Sequence, residues 1–190
     1  FTITVDPLND APTLTGMPTD ITVTEDVASN VNLSAVTLAD VDSSDADFTL
    51  SVAVGAGKLS ASSGGGVTVS GSNSGSLLLT GTVASIDSFL NTASNIKYTG
   101  ISNANGNDST TLSLTANDQD GSGNIQLGTA KIDITAVNDA PILYANALDG
   151  ALSFDGSDDY ASFAFDDSAL TTAFTLETWI RWTPDVGNEI

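Results

Sequence analysis

The stretch TTLSLTANDQDG, residues 110–121, decides the fold. Leu112 and Leu114 alternate with Thr and Ser, the period of a strand with one buried face. The alternation stops at Asn117-Asp118, residue types that favour turns. The same unit, an alternating run closed by a polar turn, recurs outward in both directions. Ile21 and Val23 alternate, as do Leu50, Val52 and Val54 in FTLSVAV, Val67 and Val69, Ile125 and Leu127, and Ile132 and Ile134. The pattern predicts half-buried antiparallel strands over about 20–26, 31–38, 47–54, 66–70, 76–80, 95–100, 110–117 and 124–136.

One segment breaks the period. In TVASIDSFLNTAS, 82–94, the residues Val83, Ile86, Phe89 and Leu90 recur at spacings of three and four, and Thr82 stands where an N-cap belongs. A short helix crossing between strands is expected there. Seven or eight short strands in about 120 residues predict an all-β fold, an Ig-like Greek-key β-sandwich with one short helix. That length suffices for a modest core without covalent staples.

Composition narrows the function. Four Lys plus Arg stand against 24 Asp plus Glu, a formal charge of −20. Clustered cations, which phosphate binding needs, are missing, so neither nucleic acid nor an anionic membrane surface is an expected partner. Cysteine and histidine are both absent from the sequence. That removes the usual Zn and Cu ligands, thiol nucleophiles, disulfides and a Ser-His-Asp triad. No run approaches the roughly 20 apolar residues of a membrane-spanning helix. Phe1 lies inside a strand-like run, as expected of a piece of a longer chain. GAGKLS, 55–60, lacks the spacing and hydroxyl of a phosphate loop and reads as a hairpin turn.

The acidic residues concentrate where alternating runs end. Glu25 lies in VTEDV, Asp40 and Asp42 in LADVDS, and Asp118 and Asp120 in TANDQDG. Asn9-Asp10 in LNDAP returns as Asn138-Asp139 in VNDAP, an offset of 138 − 9 = 129 residues. In extended chain, residues two apart point the same way, so Asp40 with Asp42, and Asp118 with Asp120, can each present two carboxylates to one point. Converging carboxylates repel unless a cation sits between them, and Ca²⁺ takes about 6–8 oxygens. An EF-hand does not fit, because Ala116 and Leu127 would occupy its first and last ligand positions.

The order of these clusters over about 8–143 resembles the cadherin repeat, most closely the cadherin-like tandem repeats of large bacterial surface adhesins. The resemblance rests on ITVTEDV, LADVDS, LTANDQDG and VNDAP in that order. It implies that 1–12 is the last strand and linker of a preceding repeat and that 13–141 is the sandwich. It implies one Ca²⁺ held by the Asn9 side chain, the Ala11 carbonyl, Asp40, Asp42 and Asp118. At the opposite end, Glu25 and Asp139 would share ions with the following domain. The family's acidic motif before the next-to-last strand is missing, and NGNDS with Asp108 stands near its place.

After Pro141 the composition shifts. Both Trp, two of three Tyr and four of seven Phe lie beyond it. ALSFDGSDDYASF and FTLETWIRW resemble the opening strands of a laminin-G-like, concanavalin-type jelly roll, which implies that 142–190 is the start of such a domain and that it binds a glycan or protein ligand. Phe174, Leu176, Trp179 and Trp182 leave apolar groups on both faces of a strand, which is expected to need covering by further chain. The function so implied is a Ca²⁺-rigidified extender of an extracellular adhesin, at the cell surface or in a biofilm, bound to neighbouring domains of the same polypeptide. The alternative is a non-catalytic accessory region of a secreted polysaccharide-degrading enzyme. No catalytic role is expected, because the carboxylates sit in Gly- and Ser-rich turns with no aromatic cleft around them.

Overall fold

The computed structural model describes residues 8–42, 47–139, 142–144 and 151–153. Eleven strands and one helix fall within 13–135: β1 Thr13–Thr15, β2 Asp20–Thr24, β3 Ser29–Asn30, β4 Thr37–Ala39, β5 Phe48–Val54, β6 Lys58–Ala61, β7 Thr68–Ser70, β8 Ser76–Gly81, α1 Val83–Leu90, β9 Ile96–Thr99, β10 Gly106–Asn117 and β11 Ile125–Thr135. Two further strands, β12 Ile142–Tyr144 and β13 Ala151–Ser153, pair as an antiparallel hairpin. The expected jelly-roll strands otherwise lie outside the described residues, as does FTLETWIRW.

The fold is an all-β, Greek-key sandwich. One sheet has the order β2-β11-β10-β5-β8-β7, and a second has β3-β9-β6, with β1 and β4 paired beside them. Period-two burial builds the core between the layers. Ile21, Val23, Leu50, Val52, Leu112, Leu114, Ile132 and Ile134 all point inward from the large sheet. Leu59, Ile96 and Tyr98 face them from the small one. The helix closes one side: Ile86, Phe89 and Leu90 are buried, Thr82 Oγ1 accepts from Ser85 N at 3.1 Å, and Asp87 Oδ1 accepts from Leu38 N at 2.8 Å.

Several elements differ from the sequence expectation. The predicted strand 31–38 is interrupted. Asn32 Oδ1 accepts both the amide and the hydroxyl of Ser34, and Val36 N donates to Leu33 O, so a turn separates β3 from β4. The turn after β5 is not a hairpin. Gly57 (φ 81°) carries the chain across to β6 in the other sheet, past the Tyr98 hydroxyl. The β2–β11 pairing is parallel and lies at one edge of the large sheet. β10 begins earlier than expected, and its register against β11 breaks between Gly106 and Thr110, a bulge that carries Asp108 at φ 51°.

Candidate metal centres at the two poles

β10 sets the geometry of the site. It runs eleven steps from Gly106 to Asn117, so its ends lie roughly 36 Å apart at about 3.3 Å per residue. The acidic loops collect at those two ends.

At the near pole, where β10 ends and β4 ends, Asp118 is fully buried. Its Oδ2 accepts from Asn9 Nδ2 at 2.9 Å, and the same amide donates to Ser122 Oγ at 2.5 Å. Asp118 Oδ1 accepts from Asp120 N at 3.0 Å. Burial alone would raise the Asp118 pKa. Hydrogen bonds from the Asn9 and Ser122 side chains and from the Asp120 and Ser122 amides outweigh it, and the carboxyl sits below the usual carboxylate range. Asp42 Oδ2 accepts from Asp10 N at 2.9 Å, and Asp40 Oδ1 accepts a long bond from Asp42 N at 3.4 Å. Asp40 Oδ2 is shielded from solvent. The segment Asn9-Asp10 is thus fastened to both acidic loops, 40–42 and 118–122. Ala11 is exposed, and the following Pro12 is buried.

Two expectations change here. The chain from Asp118 to Asp120 is a turn and not the extended segment expected. Asn117 Oδ1 accepts from Gln119 N at 2.8 Å, and Gln119 is left-handed (φ 67°), so the chain curls back instead of remaining extended. Asp118 is buried and Asp120 exposed as a result. Nor do Asp40, Asp42 and Asp118 bring one oxygen each within 4.8 Å of one another. Amide donors from Asn9 and Asp10 meet these carboxylates.

At the far pole the convergence is tighter. Glu25, Asp26 and Asp139 each offer an oxygen within 4.8 Å of the others. Glu25 is only 1% exposed. Its Oε1 accepts from Val137 N at 2.6 Å and its Oε2 from Asn105 Nδ2 at 3.2 Å, while its own amide donates to Thr135 O. Asp26 (φ 57°) holds Asn103 N at 3.1 Å. The chain leaving β11 is therefore tied to Glu25, as the chain entering is tied to Asp118. Sequence reading missed Asp26, Asn105 and Ser122; the adjacency of Asp26 to Glu25 was the only available signal.

A further acidic triad, Asp20, Asp108 and Asp133, lies on β2, β10 and β11. Asp133 Oδ1 accepts from Asp108 N at 2.8 Å. Asp108 therefore groups with Asp20 and Asp133 and not with Glu25 and Asp139. Among the described residues, the triads Glu25-Asp26-Asp139 and Asp20-Asp108-Asp133 are the acidic groups close enough to share a metal ion. By contrast, hollows of about 360 and 480 Å³ around Ser62 and Asn95 are lined by hydroxyls, amides, Ala61, Phe89, two glycines and Lys97, with no carboxylate. Family models, curated proteins and solved structures give no match to this chain.

Proposed function

We propose that this chain is a Ca²⁺-rigidified, cadherin-like extender of a large extracellular adhesin. It joins a preceding domain at Asn9 and carries a ligand-binding, laminin-G-like module after Pro141. One observation carries the reading. The entering and leaving segments are each bonded to a buried carboxylate, Asp118 and Glu25, at opposite ends of one long strand. Ions held there would fix the angle between the domain and its neighbours, and repeated units would form a rod. Asn9, Ala11, Asp40, Asp42 and Asp118 would hold the near ion, and Glu25, Asp26 and Asp139 the far one. Oxygen-only donors in this number suit Ca²⁺. The function is mechanical, with no bond made or broken.

Calcium titration calorimetry on the 190-residue chain tests this. Asp118→Asn is expected to remove near-pole binding and Glu25→Gln far-pole binding, each sparing the other. Full binding retained in both variants would contradict the proposal.

A further inference from the structure

Asn105 and Gly106 form the only Asn-Gly pair in the sequence. They stand where the chain enters β10. Gly106 is the first residue of that strand, pairs with Ile134 and has φ 124°, a backbone conformation that favours glycine. Asn105 is half-buried beside the buried carboxylate of the far pole. Its Nδ2 donates to Glu25 Oε2 at 3.2 Å, while Val137 N donates to Oε1 at 2.6 Å.

The pair carries a reaction of its own. A bond between the Gly106 nitrogen and Asn105 Cγ closes a succinimide ring. Gly106 has no Cβ to hinder that approach, and asparagine is among the least durable side chains. Asn103 and Asn107 lie in the same loop, and both are more exposed than Asn105. They are followed by Ala104 and Asp108, whose side chains crowd the attacking nitrogen.

We infer that Asn105 is a self-modification site, at which the chain converts its own amide into a carboxyl group facing Glu25. The Gly106 nitrogen attacks Asn105 Cγ. A C–N bond forms there, the bond from Cγ to Nδ2 breaks, and ammonia leaves with the proton that the Gly106 amide gives up. Water then opens the ring. Hydrolysis at Cγ gives aspartate on the original main chain. Hydrolysis at the Asn105 carbonyl carbon gives isoaspartate, with the main chain rerouted through the side chain. Water is the only co-reactant.

Either product takes a hydrogen-bond donor from Glu25 and sets a second carboxylate against it. The buried oxygen loses its partner, and the like charges repel unless a cation lies between them. Isoaspartate also lengthens the main chain just before Gly106, where β10 registers with Ile134. The triad of Glu25, Asp26 and Asp139 gains a further acid, so conversion makes the far end depend on bound Ca²⁺ for its stability. That last consequence alone rests on the ion reading; the chemistry at Asn105 does not.

The test ages the full folded chain at mildly alkaline pH. Peptide mass mapping locates the acid gained, with aspartate and isoaspartate separated by chromatography. Asn105 is expected to convert ahead of Asn103 and Asn107. Asn105→Gln, whose longer side chain closes a ring far more slowly, is expected to keep its amide over the same period. Conversion at Asn105 no faster than at its two neighbours would overturn the inference. Asn105→Asp reads the consequence: its melting midpoint is expected to fall below that of the parent chain in chelator, and Ca²⁺ to narrow the gap. Equal midpoints in chelator would overturn the effect on Glu25. A gap that Ca²⁺ leaves unchanged would refute the ion reading alone and leave the modification standing.

Discussion

Asn9 ties the entering chain to the acidic loop at the end of β10. Its amide spans a fully buried carboxylate and a hydroxyl at a separation of more than a hundred residues. Asn9→Ala removes two hydrogen bonds and leaves Asp118 short of a donor, so a loss of about 1–3 kcal/mol in unfolding free energy is expected by urea denaturation. Asp118 itself sets a pH dependence. Its folded pKa lies below the unfolded value, so it stabilises the fold above the unfolded value of about 3.9. That contribution disappears as pH falls through the lower, folded value. The acid limb of a stability profile is expected to flatten in Asp118→Asn; an unchanged limb would assign the acid sensitivity to other groups. For ion binding, Asp42→Asn is expected to weaken near-pole affinity and Asp45→Asn to spare it, as titration calorimetry would read. At this scale the sequence revealed which loops carry carboxylates. It did not reveal their direction. Left-handed Gln119 and the Asn117 side-chain turn end the extended run between Asp118 and Asp120, and positive φ at Asp26 accompanies a carboxylate placed beside Glu25 that strict alternation would have turned away.

Elements were legible where one physical signal dominated. The long strands β5, β10 and β11 carry clean alternation, and their inward residues are the buried ones. The helix was legible from its spacing and cap; Thr82→Ala is expected to cost about 1 kcal/mol, read as a lower denaturation midpoint. Short elements were not legible. β1, β3 and β4 have two or three residues each, too few for a period, and the Asn32–Ser34 side-chain bonds override the apolar pattern Val31, Leu33, Val36. The crossing at Gly57 was hidden because a sheet-to-sheet arch and a hairpin use the same residue types. Gly57→Ala discriminates between them. At φ 81°, a methyl would lie 2.6 Å from the Tyr98 hydroxyl and 2.7 Å from Thr99 O. The substitution is expected to destabilise by more than about 1 kcal/mol, checked by thermal melting.

Within the sandwich, acidic residues concentrate in the loops at its two ends. From Phe48 to Asn107 the only acidic residue is Asp87, whereas Asp10, Glu25, Asp26, Asp40, Asp42, Asp118, Asp120 and Asp139 gather at the poles. The core is complete without them. Asp118 and Glu25 are the exceptions, buried and tied to the entering and leaving chain. The repeated NDAP motif hinted at two ends, but the separation between them became measurable only through the length of β10. Cations at these poles would bind the folded chain and not the unfolded one, and a ligand at 100 times its dissociation constant adds about 2.7 kcal/mol. Thermal melting of the 190-residue chain in excess Ca²⁺ and in chelator, at matched ionic strength, tests this most directly. A midpoint raised by Ca²⁺, with the rise reduced in Glu25→Gln and in Asp118→Asn, is the predicted result; equal midpoints in Ca²⁺ and in chelator would contradict the account.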